Sequence, residues 1–279
     1  MRDVFFLSAG SFKAPAAMLE PLKLKGVRDL ARTVVMANTV AVVVRDSGDV
    51  TLVDCGWSRE QCAAPARVLG RVTAGFLGMQ VRPGDAIADQ LRKHAIDPSR
   101  VKTIVATHLH LDHVGGACDF PNAEIVCSDV ELSAFRVRPP AVGYRVEDLE
   151  TARLRPVFLG AGPSYGFPAS HDVFGDGEVV LLDAHGHTPG LVAVAIRSRD
   201  AGRCYVHIGD AAYQTWEWAL SPAGPSALSR LQAWRPDIVR LRYAALRDCE
   251  ADPRKPVIVP SHDNAVFETL PQAPANTGA

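Results

Sequence analysis

The segment HLHLDH runs from His108 to His113, directly after the apolar run Val101–Ala106, and holds three histidines and one aspartate within six residues. Imidazole nitrogens and carboxylate oxygens are the protein ligands of zinc and related divalent metals. In a loop, His108 and His110 can face one point while Asp112 and His113 face a neighbouring point. A solvated polar turn is the alternative interpretation, but it does not explain this spacing. The segment therefore predicts a metal site.

Three later apolar runs also end in residues that can bind a metal. Loops at the ends of neighbouring strands converge at one edge of a sheet, where functional residues concentrate. The three are His187 after Val179–Ala184, Asp210 after Cys204–Gly209, and His262 after Val257–Pro260. Each of these residues alone is compatible with an ordinary loop residue. Because all four strands are followed by residues that can bind a metal, one shared site is favoured. The other histidines are expected to be structural or on the surface: His94, His171, His185 and His207.

Seven candidate ligands are too many for one metal ion. A catalytic zinc needs about three protein ligands and a water, whereas two metals roughly 3.5–4 Å apart share a carboxylate and a hydroxide. Asp210 stands alone at its strand end and is the expected bridge. Because the set contains no cysteine, zinc fits it, and so do iron, cobalt and manganese. The sequence thus predicts two divalent metal ions, with zinc favoured.

The rest of the composition is ordinary for a globular protein and excludes several functions. The 279 residues carry a formal net charge of −1, so no basic surface for nucleic acid or an anionic membrane is expected. No run approaches the roughly 18 uninterrupted apolar residues that indicate a membrane span. The six cysteines form no CxxC pair, which is typical of reduced thiols. We therefore expect a cytoplasmic protein without a signal peptide, and a homodimer is left open.

The apolar runs predict the strands that must position the ligands. Thr33–Arg45 and Val50–Cys55 flank the turn sequence DSGD, which predicts a β-hairpin. Further strands are expected over the runs that precede the ligands, and over Ile125–Cys127 and Leu191–Arg197. Helices are expected after an N-cap at Asp85, after the capping-box sequence Ser128–Glu131, and over Asp237–Asp248.

Residues 136–172 are rich in proline and glycine and predict a long loop or cap. No linker or internal repeat divides the chain. The mixture of hairpins and β-α units therefore predicts one α+β domain over residues 1–279, with more than one sheet. The tail over 264–279 is expected to be frayed.

Several short motifs occur in a fixed order along the chain. THLHLDH is followed by GHTPG, then by GD at Gly209–Asp210 and SHD at Ser261–Asp263, while LVDCG precedes them at Leu52–Gly56. In order and spacing these motifs resemble the metallo-β-lactamase superfamily, from about Val34 to Asp263. The resemblance implies a four-layer αβ/βα sandwich of two mixed β-sheets with outer helices. It also implies that the metals lie at one rim between the sheets.

The resemblance further implies a role for each candidate ligand. One metal would be held by His108, His110 and His187, the other by Asp112, His113 and His262, with Asp210 bridging the two. Asp54, in LVDCG, would orient a ligand histidine through a hydrogen bond from outside the set. A strand-end turn residue is the alternative reading of Asp54.

The sequence GDAAY places Tyr213 three residues after Asp210. This is similar to the acyl-homoserine lactone lactonase branch, and it implies that the tyrosine hydroxyl hydrogen-bonds the lactone carbonyl. An aromatic that only packs is the alternative. The long stretch between His113 and His187, and an apparent insertion at Gly70–Gly84, depart from that branch. They leave the shape of the pocket and the particular lactone open.

The expected activity is that of a metal-dependent hydrolase of carboxylic esters, a lactonase acting in quorum quenching on N-acyl homoserine lactones. A hydroxide shared by two metals would attack the carbonyl, Tyr213 would stabilise the oxyanion, and Asp112 would protonate the leaving alkoxide. An amphiphilic small-molecule substrate needs an apolar trough. Candidates from the irregular regions are Phe76, Leu77, Met79, Phe135, Tyr144 and Phe167.

Other chemistries use the same ligand set and are alternatives. A glyoxalase II-like thioesterase needs a basic C-terminal region, but the tail after Asp263 has no Lys or Arg. A hydrolase of other small esters or of phosphotriesters uses a similar ligand set. A mononuclear iron sulfur dioxygenase, from another class, binds one iron and does not need Tyr213, so a metal count separates it. A catalytically silent scaffold has no chemical need for seven ligands.

Overall fold

The strands form two sheets in the computed structural model, which describes residues 3–19, 32–76, 78–137, 143–198, 202–219 and 224–273. The first sheet contains β1 (Asp3–Pro15), β2 (Thr33–Val44), β3 (Val50–Val53), β4 (Met79–Gln80), β5 (Val101–Val105), β6 (Glu124–Ser128) and β7 (Arg153–Val157), in the order β4-β1-β2-β3-β5-β6-β7. The second contains β8 (Ser170–Asp172), β9 (Val179–Asp183), β10 (Val192–Arg197), β11 (Cys204–Gly209) and β12 (Val257–Pro260), in the order β12-β11-β10-β9-β8. Both sheets mix parallel and antiparallel pairs.

The helices of the described residues are short, with one exception. They are α1 (Ala16–Leu19), α2 (Arg59–Ala63), α3 (Pro65–Val68), α4 (Arg71–Phe76), α5 (Ile87–Lys93), α6 (Leu111–Val114), α7 (Asp129–Val137), α8 (Trp216–Ala219), α9 (Ala227–Gln232), α10 (Pro236–Glu250) and α11 (Asn264–Phe267). Among these described helices, none is long and apolar enough to cross a membrane.

Three clusters of buried side chains define the layers. The cluster between the sheets joins Val43 and Val105 of the first sheet to Leu181 and Val194 of the second. A second cluster covers the outer face of the first sheet with helix α5, and a third covers the outer face of the second sheet with α10. Strands buried on both faces read as continuous apolar runs, as β2 and β11 do. The expected four-layer αβ/βα sandwich is confirmed.

Parallel pairing explains why the ligand segments meet. Strand β5 runs parallel to β3, and β12 runs parallel to β11, so the chain leaves each pair at one edge. Backbone hydrogen bonds then join the two sheets at that rim. The N–H of Val192 donates to the carbonyl of Thr107 at 2.9 Å, and that of Thr39 donates to Ser261 at 2.9 Å. The segments that follow β5 and β12 are therefore each bonded to the opposite sheet.

Two parts of the fold differ from expectation because long-range pairing outweighs local propensity. Strand β1, which the sequence patterns did not predict, pairs with β2 along its whole length despite the bulge at Ser8–Ser11. The expected loop or cap over 136–172 contains β7 and β8. Strand β7 carries Arg153, Arg155 and Pro156, which suit a strand at the sheet edge.

The C-terminal tail was expected to be frayed from residue 264, and this prediction is wrong as far as residue 273. Asp263 caps α11 by accepting the N–H groups of Ala265 and Val266. Leu270 is buried, and the N–H of Phe6 donates to the carbonyl of Pro271 at 2.9 Å. The segment therefore docks on β1. Residues 274–279 lie outside the described residues.

The expected N-cap at Asp85 is also wrong. Helix α5 begins at Ile87, its N-cap is Ala86, and that residue makes no capping bond with its side chain. The carboxylate of Asp85 accepts the N–H of Arg82 instead, at 3.0 Å. Asp85 therefore closes the turn before the helix.

Candidate metal centre

The structure brings all seven predicted ligand side chains together at the rim between the sheets. We call this set the His/Asp cluster: His108, His110, Asp112, His113, His187, Asp210 and His262. Potential ligand atoms lie within 4.8 Å of one another in three overlapping groups. These are His108, His110 and His187; His108, His113 and Asp210; and Asp112, His113 and His262.

The two oxygens of Asp210 face different halves of the cluster. Oδ2 lies 3.5 Å from Nε2 of His187 and 4.0 Å from Nε2 of His108. Oδ1 lies 3.3 Å from Nε2 of His113 and 3.2 Å from Nε2 of His262. A carboxylate placed this way has one oxygen for each of two neighbouring metal positions.

A tight turn at the end of β11 brings Asp210 into the cluster. Gly209 adopts a φ of +54°, and a Cβ at this position would lie 2.8 Å from Cβ of Thr107. Only glycine combines this φ with so close an approach at no steric cost. The sequence Gly-Asp after the strand is therefore required by the geometry of the turn.

Hydrogen bonds from outside the cluster fix the orientation of three imidazole rings. Oδ2 of Asp54 lies 2.7 Å from Nδ1 of His113, and Thr107 donates to both oxygens of the same carboxylate. Nδ1 of His262 lies 2.7 Å from the carbonyl of Ala37. Nδ1 of His108 lies 3.1 Å from the Thr107 hydroxyl. In each ring this leaves Nε2 facing the cluster.

The charge environment divides the cluster into two halves. Burial lowers the pKa of His108 and of His187, and it lowers the pKa of His110 to about 3. Burial acts in the same direction on His262, but the charges of Asp210 and Asp112 outweigh it and raise its pKa to about 10. The first three form a histidine-rich half whose rings are neutral, the form that binds metals. Asp112 and Asp54 lie beside the other half, whereas Asp210 contacts both.

Glu131 joins the two main ligand loops, and the sequence reading missed this role. Its N–H donates to the Ser128 hydroxyl as a capping box predicts, but its fully buried carboxylate is used elsewhere. Oε1 accepts the N–H of Leu109 at 3.0 Å and the hydroxyl of Tyr144 at 2.9 Å. Oε2 accepts the hydroxyl of Thr188 at 2.7 Å and the N–H of Gly190 at 3.1 Å. One carboxylate thus fixes the segments that carry His110 and His187.

Tyr213 lies against the cluster, as its spacing from Asp210 predicts. Its ring stacks on His262, with 5.4 Å between ring centres, and meets His187 edge-on at 6.1 Å. Burial, reinforced by the nearby Asp210 carboxylate, raises the pKa of Tyr213 well above its usual range. The hydroxyl therefore keeps its proton and acts as a hydrogen-bond donor.

A cavity of about 480 Å³ opens over the cluster. Its floor includes His110, Asp112, His187, Asp210 and His262, with Tyr213 beside them. We call its other side the apolar wall, formed by Phe12, Met18, Met36, Leu228, Leu231 and Trp234. Among the lining residues that the structure describes, Lys13 is the one Lys or Arg side chain.

The metallo-β-lactamase superfamily model matches residues 34–262 of the sequence. The chain belongs to this superfamily. A curated relative, N-acyl homoserine lactonase AttM of Azorhizobium caulinodans, is 29% identical over 227 residues, which cover 80% of this chain and 81% of that protein. This relative bears the name of the branch that the residues around Tyr213 resemble.

Two solved structures show the same fold. A mutant of AiiA from B. thuringiensis, with N-decanoyl-L-homoserine bound at its active site, has a TM-score of 0.74 at 20% identity, over 96% of both chains. AidC, a dizinc quorum-quenching lactonase in complex with a product, has a TM-score of 0.59 at 17% identity, over 94% of this chain and 87% of AidC. At these identities the likeness establishes the fold.

The predicted lining of the apolar trough is largely wrong. Tyr144 lines the cavity, but Met79, Phe135 and Phe167 do not. Phe135 packs edge-on against the Tyr144 ring, Met79 packs on the outer face of the first sheet, and Phe167 is buried behind the second sheet. The side chains of Phe76 and Leu77 lie outside the described residues. Within the described chain, the wall comes from β1, α1, β2 and α9 with its following turn.

Asn38 is another residue that the sequence reading missed. Its side-chain amide donates to the carbonyl of Asp112 at 2.9 Å, from a buried position in β2. A polar side chain inside the apolar run VVMANTVAVVV was a usable signal, because buried amides need partners. No comparable signal marked Glu131, since its capping sequence accounted for it.

Proposed function

We propose that the protein is a metal-dependent lactonase that opens N-acyl homoserine lactones. The observation that carries this proposal is the division of the two Asp210 oxygens between two sets of histidine nitrogens, at the floor of a cavity with an apolar wall. Relatives that bear the name of N-acyl homoserine lactonase support the substrate class. The chemistry therefore rests on the His/Asp cluster, and the choice of substrate rests on the wall.

The donor geometry fits two metal ions. Ligand atoms roughly 2.0–2.2 Å from a tetrahedral metal lie about 3.3–3.6 Å from one another. The distances from Asp210 to Nε2 of His187, His113 and His262 are 3.5, 3.3 and 3.2 Å. Nε2 of His108 and of His113 and Oδ1 of Asp210 are buried, and each lacks a hydrogen-bond partner within the described residues. Buried polar atoms are normally paired, and a metal would satisfy these three.

The proposed ligand sets follow the two halves of the cluster. His108, His110 and His187 would hold one ion, Asp112, His113 and His262 would hold the other, and Asp210 would offer one oxygen to each. Asp54 positions His113 through the hydrogen bond to Nδ1. A set of only nitrogen and oxygen donors fits zinc, and the dizinc lactonase AidC supports zinc over iron, cobalt or manganese.

When bound, the two ions would lower the pKa of a water molecule and polarise the lactone carbonyl. The chain supplies the remaining steps. The Tyr213 hydroxyl donates to the carbonyl oxygen as negative charge develops on it. Oδ2 of Asp112 lies at the floor of the cavity, 3.5 Å from Nε2 of His113 and of His262, where the carboxylate can accept the proton of the attacking water. Asp112 then returns that proton to the ring oxygen when the ester C–O bond breaks.

The cavity suits an uncharged amphiphilic substrate. The apolar wall offers its surface to an acyl chain, while the lactone ring meets the floor. A glutathione thioester or a phosphodiester carries negative charges, and the lining offers them Lys13 alone among its described Lys and Arg side chains. In a mononuclear iron dioxygenase, Asp112 and His262 would have no role in metal binding, so their place in the cluster favours two metals. The single-domain organisation, the cytoplasmic location and a homodimer stay predictions from the sequence.

The test is pH-stat hydrolysis of N-decanoyl-L-homoserine lactone by the purified protein. We expect ring opening that is lost on treatment with a chelator and restored by zinc. A glutathione thioester, assayed in parallel, is expected to be hydrolysed far more slowly. If the protein binds metal but opens no lactone, the proposed substrate class is wrong. If it hydrolyses only the thioester, the substrate is a thioester.

A further inference from the structure

The hydroxyl of Tyr213 has a partner that the sequence did not predict. It donates a hydrogen bond of 2.8 Å to Oε1 of Gln232, the last residue of α9, and both side chains line the cavity. The rings of His262 and His187 hold Tyr213 on its other sides. Gln232 is therefore one hydrogen bond away from the group that contacts the substrate carbonyl.

Buried polar contacts fix the helix that carries Gln232. Ser226 caps α9 by accepting the N–H of Ser229, whose hydroxyl donates to the carboxylate of Glu217. The same carboxylate accepts the hydroxyl of Tyr243 from α10. Glu217 and Ser229 are both buried. The fold therefore sets the position of Gln232, although its own side chain is exposed to the cavity.

The single proton of the phenol cannot serve two acceptors at once. If Tyr213 donates to the lactone carbonyl during the reaction, its hydrogen bond to Gln232 must break. Oε1 of Gln232 then loses its donor just as the substrate fills the cavity and excludes water. A polar atom left without a partner in that state costs about 1–3 kcal/mol. A substrate that brings its own donor to this point avoids the cost.

We propose that Gln232 selects lactones that carry an amide N–H next to the lactone carbonyl. As Tyr213 turns to the carbonyl oxygen, Oε1 of Gln232 accepts the N–H of the substrate's acyl amide. In an N-acyl homoserine lactone that nitrogen is bonded to the carbon beside the lactone carbonyl, which places it near Tyr213. This inference rests on the proposed function and adds that the amide, besides the acyl chain, is recognised.

The test compares two substrates and three variants. Kinetics of zinc-loaded enzyme are measured with an N-acyl homoserine lactone and with a γ-alkyl lactone of similar chain length, which has no amide. In Gln232→Leu we expect the ratio of kcat/KM values, amide-bearing over amide-free, to fall about tenfold. Opening of the alkyl lactone is not expected to slow, because Tyr213 is released from a competing acceptor. Gln232→Glu keeps an acceptor and is expected to keep the preference.

Gln80→Leu is the matched control, because Gln80 is exposed on β4 and does not line the cavity. It is expected to leave both substrates and their ratio unchanged. Equal losses for both lactones in Gln232→Leu would make Gln232 a structural residue and overturn the inference, while lactone opening itself stands. If the wild-type enzyme opens neither lactone, the proposed function is wrong and the inference falls with it.

Discussion

Two buried glutamates stabilise two regions of the site that differ in almost every other respect. Glu131 fixes the loops of the His/Asp cluster through four donors, and every histidine of the cluster but His110 is at most a few per cent exposed. Glu217 fixes α9, which carries Leu228 and Leu231 of the apolar wall, through Ser229 and Tyr243, yet Leu231 is 69% exposed. The histidines of the cluster are enclosed, whereas the apolar wall combines the buried Phe12, Met36 and Leu228 with the exposed Leu231.

This difference assigns chemistry and substrate choice to separate parts of the chain. A metal site loses affinity when its ligands shift by a fraction of an ångström, and hydrogen bonds from outside the cluster fix three of its five rings, those of His108, His113 and His262. An acyl chain needs only an apolar surface of the right extent, so the wall tolerates exposure and change. Mutations in the cluster should therefore affect all substrates, and mutations in the wall should affect some of them.

The largest effect is expected for Asp210→Asn. An amide cannot offer a negatively charged oxygen to both halves of the cluster, so we expect loss of at least one metal per chain. The loss of kcat/KM should exceed the roughly 10–100-fold typical of residues outside the ligand set. Metal analysis by mass spectrometry and lactone kinetics check this. Asp183→Asn, at the end of β9 and outside the cluster, is the control, and full activity in Asp210→Asn would refute the bridging role.

Tyr213→Phe is expected to lower kcat by about 10²–10³, because one oxyanion donor is removed. Metal content should not change, since the hydroxyl is not in the ligand set. This result would show that Tyr213 acts in the reaction at the cluster, although its ring borders the apolar wall. Tyr165→Phe, a buried tyrosine behind the second sheet, is the matched control. If only the substrate preference changes, Tyr213 contributes to substrate choice, like the apolar wall, and not to the reaction.

Glu131→Gln and Glu217→Gln test the comparison directly, because both remove one negative charge from a buried carboxylate. Glu131→Gln leaves two of four donors without an acceptor, and we expect zinc affinity to fall roughly 10–100-fold. Titration of zinc into metal-free protein measures this. Glu217→Gln should leave zinc affinity unchanged and alter KM. Equal effects on zinc affinity would show that the two regions are not separate.

The smallest activity change is expected in the apolar wall. Leu231→Ser should lower kcat/KM for N-decanoyl-homoserine lactone about tenfold relative to the butanoyl lactone, since the long chain loses the burial of one leucine. Leu241→Ser on α10 is the control, with a leucine 71% exposed and outside the cavity. If both variants retain the wild-type chain-length ratio, the acyl chain does not contact this wall.

The two regions also differ in how far the sequence predicts them. The ligands follow apolar strands, and their types and spacing are local, so the seven side chains could be placed together from the sequence. Asp54 was assigned only through the resemblance of its LVDCG motif to the superfamily. The wall is assembled from β1, β2 and α9, which are distant in sequence, and its members are apolar residues like many others. No sequence feature distinguishes Met36 and Leu228 from residues of the hydrophobic core.

Glu131 shows a further limit of the sequence reading. Its position three residues after Ser128 fits a capping box, and its N–H does make that contact. Only the packing of Thr188 and Gly190 against α7 reveals that the carboxylate joins two loops. Gly190 allows this approach, because a Cβ there would lie 2.1 Å from the backbone nitrogen of Glu131. Such long-range contacts are set by the tertiary structure.

The number of metal ions that each chain binds decides whether the site is dinuclear. Purified protein that opens N-acyl homoserine lactones is freed of loosely bound metal and analysed by mass spectrometry against its concentration. We expect two ions per chain, and lactone opening that rises with the occupancy of the second. One ion per chain at full lactone activity would contradict the dinuclear site and the bridging role of Asp210.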